Sequence, residues 1–245
     1  MSPMMTIAKR EFRSYFDSPL AYVVICLSFL GLGGMFFMFR GGFWQIDRAN
    51  VQGLFEYLPL GLSMLVIPVV TMRLLAEEKR TGTLEMLITL PVSDSDVILG
   101  KYIGALGLVL TLIAATLVYP IAMFKWPWNL GPLDWGPVFA GYFGLALFAA
   151  ASVAIGLLVT ALTESQSIAF FITFFILVAM WFIPELATTV VTGPFGDALQ
   201  FVGFQTRLDG FIRGLIDTRD VVFFLSVTAV ALAVAFRALE RRKWA

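Results

Sequence analysis

The chain has no histidine among its 245 residues and a single cysteine, Cys26. Those two gaps exclude Cys/His zinc sites, haem ligation through histidine, Ser-His-Asp and Cys-His catalysis, and a disulfide within the chain. Cys26 lies inside an apolar run, where a lone cysteine acts as a small hydrophobe. Charge is scarce as well. Asp, Glu, Lys and Arg make up 14% of the residues, against about a quarter in a soluble domain. The formal net charge is zero, so the clustered cations that neutralise nucleic-acid phosphates are missing. No GxxxxGK[ST] loop occurs, which excludes ATP hydrolysis of the P-loop kind by this chain.

Apolar residues fill the space that charge vacates, at 59% of the total. So few charges cannot cover a water-facing surface, and most of the exterior must face lipid. A membrane span needs roughly 20 mostly apolar residues. Six stretches qualify, at 20–39, 55–75, 97–124, 137–162, 168–183 and 221–239. The first is too long for the h-region of a cleaved signal peptide and has no small-residue cleavage site after it, so it is expected to stay in the membrane. The fold class is therefore an all-α membrane protein, a single domain over 1–245 with six spans.

The basic residues orient the spans. With the N-terminus in the cytoplasm, Lys9, Arg10, Arg13, Arg73, Lys79, Arg80, Lys101, Arg237, Arg241, Arg242 and Lys243 lie inside. Arg40, Arg48, Lys125, Arg207, Arg213 and Arg219 lie outside. That is the bias of the positive-inside rule, and six spans bring both basic termini to the same, cytoplasmic side. Trp44, Trp126, Trp128 and Trp135 suit headgroup-level anchors on the outer face.

Two longer segments carry helices of their own. Before the first span, Ala8, Phe12, Tyr15 and Phe16 share one helical face and Lys9, Arg10 and Arg13 fall largely on the other, the pattern of a short helix lying flat at the cytoplasmic interface. Residues 185–219 mix apolar side chains with several glycines and suit short re-entrant helices in the outer leaflet, shielded by the bundle.

Ionisable residues keep to the span ends: Glu56, Arg73, Lys101, Glu164, Glu185 and Arg237. Ion-coupled transporters need intramembrane charge, and selective channels need charged rings or a carbonyl filter. Any work this chain does is delivered from outside. The place of delivery is the cytoplasmic segment between the second and third spans, Ala76-Glu77-Glu78-Lys79-Arg80-Thr81-Gly82-Thr83-Leu84-Glu85-Met86-Leu87-Ile88-Thr89-Leu90-Pro91-Val92-Ser93-Asp94. Thr81-Gly82-Thr83 breaks the helix leaving the membrane. Leu84, Leu87 and Ile88 then share one side of a short helix that Pro91 ends. Ser93, with Asp96 three residues on, caps the next span. The bland alternative is an ordinary interfacial helix whose charges serve only orientation. Gly100-x-x-x-Gly104 in the third span permits close helix packing, and Pro59, Pro68 and Pro120 kink their helices.

That same segment, continued through Leu99-Gly100-Lys101, resembles the signature of ABC-2-type transporter permeases, closest to the gliding-motility-associated subgroup. The run Gly214-Leu215-Ile216-Asp217-Thr218-Arg219-Asp220-Val221-Val222-Phe223-Phe224-Leu225-Ser226 is similar to that subgroup too. The resemblance implies a bacterial inner-membrane permease subunit that works as a dimer, with a second copy or a related permease. It also implies two cytoplasmic ATP-binding subunits. These would hold the ATP and Mg, so no cofactor is expected in this chain. Residues 77–90 would be the ATPase contact and the helix of Lys9, Arg10, Phe12, Arg13 and Phe16 the family's connecting helix. Members of the subgroup often work beside an auxiliary membrane protein with a large outer domain. The competing reading is a mechanotransmission subunit that passes ATP-driven motion to an outer partner without a substrate path.

Overall fold

The structure, a computed structural model, describes residues 2–17, 19–38, 51–82, 93–124, 134–190, 193 and 199–241, and no strand occurs among them. The loops bearing Trp44, Trp126 and Trp128 lie outside the described residues, as do the helix expected over 84–90 and the basic tail.

α1 (Pro3–Asp17) is amphipathic, with Ala8 and Tyr15 buried and Lys9, Arg10 and Arg13 exposed. It ends before Pro19, which disfavours helix at the residue preceding it. α2 (Pro19–Met38) contains no charge, and its 22–31 portion lies at 72° to α1.

The next 30 residues, Gln52–Thr81, form one apolar stretch broken twice. α3 (Gln52–Gly61) passes through a π-helical turn at Leu62–Val66 into α4 (Ile67–Thr71). Pro68 accounts for the slip, because it offers no N–H to the preceding turn and its ring crowds that turn's carbonyl. A turn over 72–75 then separates α5 (Ala76–Thr81), which stops at Gly82 in the left-handed conformation, φ 72°. Only glycine takes that C-terminal position without steric cost. The break expected at Thr81-Gly82-Thr83 therefore falls on the glycine.

α6 (Asp94–Ala115) opens on the expected cap, with the Asp96 N–H donating to Ser93 Oγ at 3.2 Å and the Ser93 hydroxyl bonding the Asp96 carboxylate. It breaks at Thr116 and Leu117 and resumes as α7 (Val118–Phe124). Pro120 explains the break in the way Pro68 does. α8 (Trp135–Leu162) follows, its first turn capped by Asp134 through the Gly136 N–H at 3.0 Å. Then come α9 (Gln166–Val190), α10 (Phe204–Ile212) and α11 (Thr218–Arg241).

α8 is the central post: 72% of its most apolar window is buried, against 28% for α9 and 17% for α11. Its sequence explains this. Where helices cannot gain by escaping water, they associate by close packing at small residues. Phe211 of α10 lies against Gly144, and Thr71 of α4 lies so near Gly156 that a Cβ there would sit 2.3 Å from the threonine Oγ1. At mid-height Phe148 holds α8, α9 and α10 together, with ring centroids 6.3 Å from Trp181 and 5.4 Å from Phe204. The outward face of α9 carries Ile168, Phe171, Ile172, Phe175 and Ile176, all exposed.

Among the described residues, five helices are long and apolar enough to cross a membrane, or six if the bent pair Pro3–Asp17 and Tyr22–Gly31 counts as one. The segment 185–219, expected to hold re-entrant helices, opens as a continuation of the preceding helix. α9 does not stop at 183 but runs through Pro184 to Val190, and the Pro184 ring packs on Gly203 at the entrance to α10. α10 buries Phe204, Leu208 and Phe211 in the bundle and presents Arg207 to Asp220 at 2.8 Å.

Candidate functional site at the α1 end of the bundle

α1 does not rest on lipid alone. It lies along α6, on a seam that the glycines of the third span open. A Cβ at Gly100 would fall 2.8 Å from Ile7 Cβ and 2.9 Å from the Met4 carbonyl oxygen. One at Gly104 would fall 2.7 Å from Glu11 Cβ and 3.0 Å from the Ala8 carbonyl oxygen. Gly107 continues the seam under the Phe12 ring. The GxxxG pair thus serves a helix-on-helix contact, and its partner is the N-terminal helix.

Between those glycines stands Lys101, with 1% of its surface exposed. The charge count placed it on the cytoplasmic side as an orienting residue; in the fold it is buried in protein, about two turns inside α6. Its ammonium reaches Glu11 Oε1 of α1 at 2.9 Å and Glu78 Oε1 of α5 at 2.8 Å. Arg10 flanks the cluster from solvent, 3.8 Å from the same Glu78 oxygen. A buried charge is tolerable only when it is paired and hydrogen-bonded, and here two carboxylates from two other elements supply the pairing. Beside the node lies a cavity of about 270 Å³ lined by Glu11, Ser14, Tyr15, Arg73, Glu77 and Lys101 among others. Burial, with Glu11 adding, raises the pKa of Tyr15 well above its ordinary value. The phenol therefore stays protonated and donates to the Val70 carbonyl at 3.0 Å.

The neighbouring residue points the other way. Lys79 Nζ donates to the carbonyls of Thr160 at 3.1 Å and Thr163 at 3.2 Å, and also to that of Ala161. These are carbonyls at the C-terminus of α8, where helix-internal donors run out and the helix dipole favours a cation. So α5, six residues long, is strapped on one side to α1 and α6 and on the other to the end of α8.

Of the residues expected to meet an ATPase, Glu78 and Lys79 are thus engaged inside the chain. Glu77 pairs with Arg73 at 3.2 Å while remaining partly exposed. Arg80, Thr81 and Gly82 are exposed. Thr83, Leu84, Glu85, Leu87 and Ile88 lie outside the described residues. In α1, Lys9, Arg10 and Arg13 face outward, while Phe12 and Phe16 pack partly buried with ring centroids 5.2 Å apart. The sequence reading passed over Glu11, and a signal was present: it sits three residues after Ala8 and four before Tyr15, a carboxylate on an apolar face.

Helices that cross repeatedly, pack through glycine and leave broad apolar faces outward define a multi-pass membrane protein. Residues 47–236 match the family model described as ABC-2 family transporter protein. The chain belongs to that family, and so is a membrane component of an ABC transporter, of the kind that partners an ABC ATP-binding subunit. A comparison with curated proteins gave no match.

Proposed function

We propose that this chain is the permease subunit of an ATP-driven transporter in a bacterial inner membrane. It works as a dimer with two ATP-binding subunits, which hold ATP and Mg and dock on residues 77–90 from the cytoplasm. Both termini and the α1 end of the bundle then face the cytoplasm, α1 is the connecting helix, and α10 belongs to the outer leaflet. Closure of the ATPases pushes the 84–90 segment, and the spans rearrange to move a substrate across the membrane.

The observation that best supports this reading is the double strap on α5. An interfacial loop that served only orientation would need exposed cations and nothing more. Here the base of the segment is tied to α6 through Glu78–Lys101 and to α8 through Lys79, so force applied to the segment reaches both of those helices. Arg80→Glu with Leu87→Asp is the direct test, because it alters an exposed cation and an apolar anchor without touching the straps. Loss of one apolar anchor and one charge contact should weaken such an interface by about 2–4 kcal/mol. An ATPase should co-purify with the tagged wild-type chain and be lost from the double variant, while the variant still inserts. Equal retention of the ATPase by both would refute the assignment of the contact.

A further inference from the structure

α5 is a short element between two interruptions. The turn over 72–75 precedes it, with Leu74 N–H bonded to the Thr71 carbonyl at 3.0 Å in the tighter i, i+3 manner, and left-handed Gly82 follows it. Regular helix therefore fixes its position poorly at either end, and side chains must do so. α1 needs no such help to stay on α6, because the seam at Gly100, Gly104 and Gly107 already brings the two backbones together. The addition that Lys101 makes is Glu78. One ammonium, supplied by α6, holds a carboxylate of α1 and a carboxylate of α5 within 3 Å of itself. Apolar side chains of similar size often stabilise a buried site as well as an ion cluster does, and a cluster instead fixes which groups stay in register.

We propose that Lys101 is a positioning residue that makes α1 travel with α5, so that α1, α5 and the first turns of α6 form one input lever. This rests on the reading of residues 77–90 as the ATPase contact. It goes beyond that reading, because it makes the N-terminal helix part of the moving body and names the residue that joins it.

The test uses the complex isolated from membranes through a tag on this chain, in lipid nanodiscs, with ATP and vanadate. In a Cys26→Ser background, spin labels go on exposed Lys9 of α1 or exposed Arg80 of α5, the latter in a complex first shown to keep its ATPase despite the label, each paired with a label on exposed Arg213. In the wild-type node both distances to Arg213 should shift with nucleotide, and the Lys9–Arg80 distance should stay constant. In the charge-free node, Lys101→Met with Glu11→Gln and Glu78→Gln, the Arg80 shift should remain and the Lys9 shift should be lost. Glu78→Gln alone keeps the Lys101–Glu11 pair and the fold, and should lose the Lys9 shift in part. A Lys9 shift that survives undiminished in these variants overturns the inference, as does a wild-type Lys9 label that stays still while Arg80 moves. If Arg80 itself does not respond in the wild type, the ATPase-contact reading fails first and the lever with it.

Discussion

Gly104→Ala and Gly107→Ala should move stability in opposite directions, although both add one methyl to the same face of α6. At Gly104 the new carbon would lie 2.7 Å from Glu11 Cβ and 3.0 Å from the Ala8 carbonyl oxygen. Carbon atoms prefer about 3.5–4.0 Å, and neither neighbour can turn away by changing rotamer. α1 must therefore retreat by about 1 Å, at the upper part of the roughly 1–3 kcal/mol that overpacking costs. Replacing glycine inside a helix returns about 1 kcal/mol. The net for Gly104→Ala is a loss of about 1–2 kcal/mol, and the retreat also lengthens the Glu11–Lys101 contact. At Gly107 the nearest atoms belong to the Phe12 ring, at 3.2 Å. A small swivel of the ring relieves that contact, so the helix term wins and the variant gains about 0.5–1 kcal/mol. SDS titration of the purified chain in mixed micelles measures both, and hydrogen exchange over residues 3–17 reports whether α1 has loosened. If the two variants shift in the same direction by the same amount, the close seam does not exist as described.

Three further outcomes follow from side-chain geometry. Lys79→Met removes a charged donor from the end of α8 and should cost about 1.5–3 kcal/mol, with faster exchange in the turn after Leu162 and little change in α11. Arg207→Ala breaks the 2.8 Å pair with Asp220, both side chains being under 15% exposed, and removes a guanidinium stacked 4.2 Å from the Phe201 ring. It should cost about 2–4 kcal/mol in a thermal melt, and Asp220→Asn should cost less. Desolvation raises the pKa of Asp209 although Arg213 opposes the shift. A carboxyl held above its unfolded value favours folding below that value, and the advantage fades as pH rises through the folded one. Asp209→Asn should therefore flatten the fall of the melting temperature across that window, and an unchanged pH profile would argue against the burial effect.

Element positions were legible in the sequence because lipid imposes them. Uncharged runs became helices, Ser93 capped α6, and Gly82 ended α5 for reasons that act within a few residues. Pro68 and Pro120 announced interruptions, though not that one would appear as a π turn. The packing was less legible because it depends on residues far apart in the chain. Gly100 and Gly104 were visible as a small-residue pair, but nothing local identifies α1 as the helix seated on them. The partners of Lys101 were hidden for a related reason: a charge count sorts lysines by side of the membrane, and cannot distinguish one facing lipid headgroups from one facing Glu11 and Glu78. Lys79 looked like one more cytoplasmic cation because its acceptors, the carbonyls of residues 160–163, carry no sequence signature at all.

The seat of α1 also bears on how the protein is made. Glu11 and Lys101 are 90 residues apart, and the glycine seam belongs to the third span. During synthesis α1 emerges long before there is anything for it to lie on. A basic amphipathic helix in that position partitions to the membrane surface, where Glu11 stays hydrated and no carboxylate is buried. Docking must wait until α6 has inserted and brought Lys101 with it, and long-range contacts of this kind form late. The bundle is thus complete only when α6 has inserted and α1 has settled into its groove.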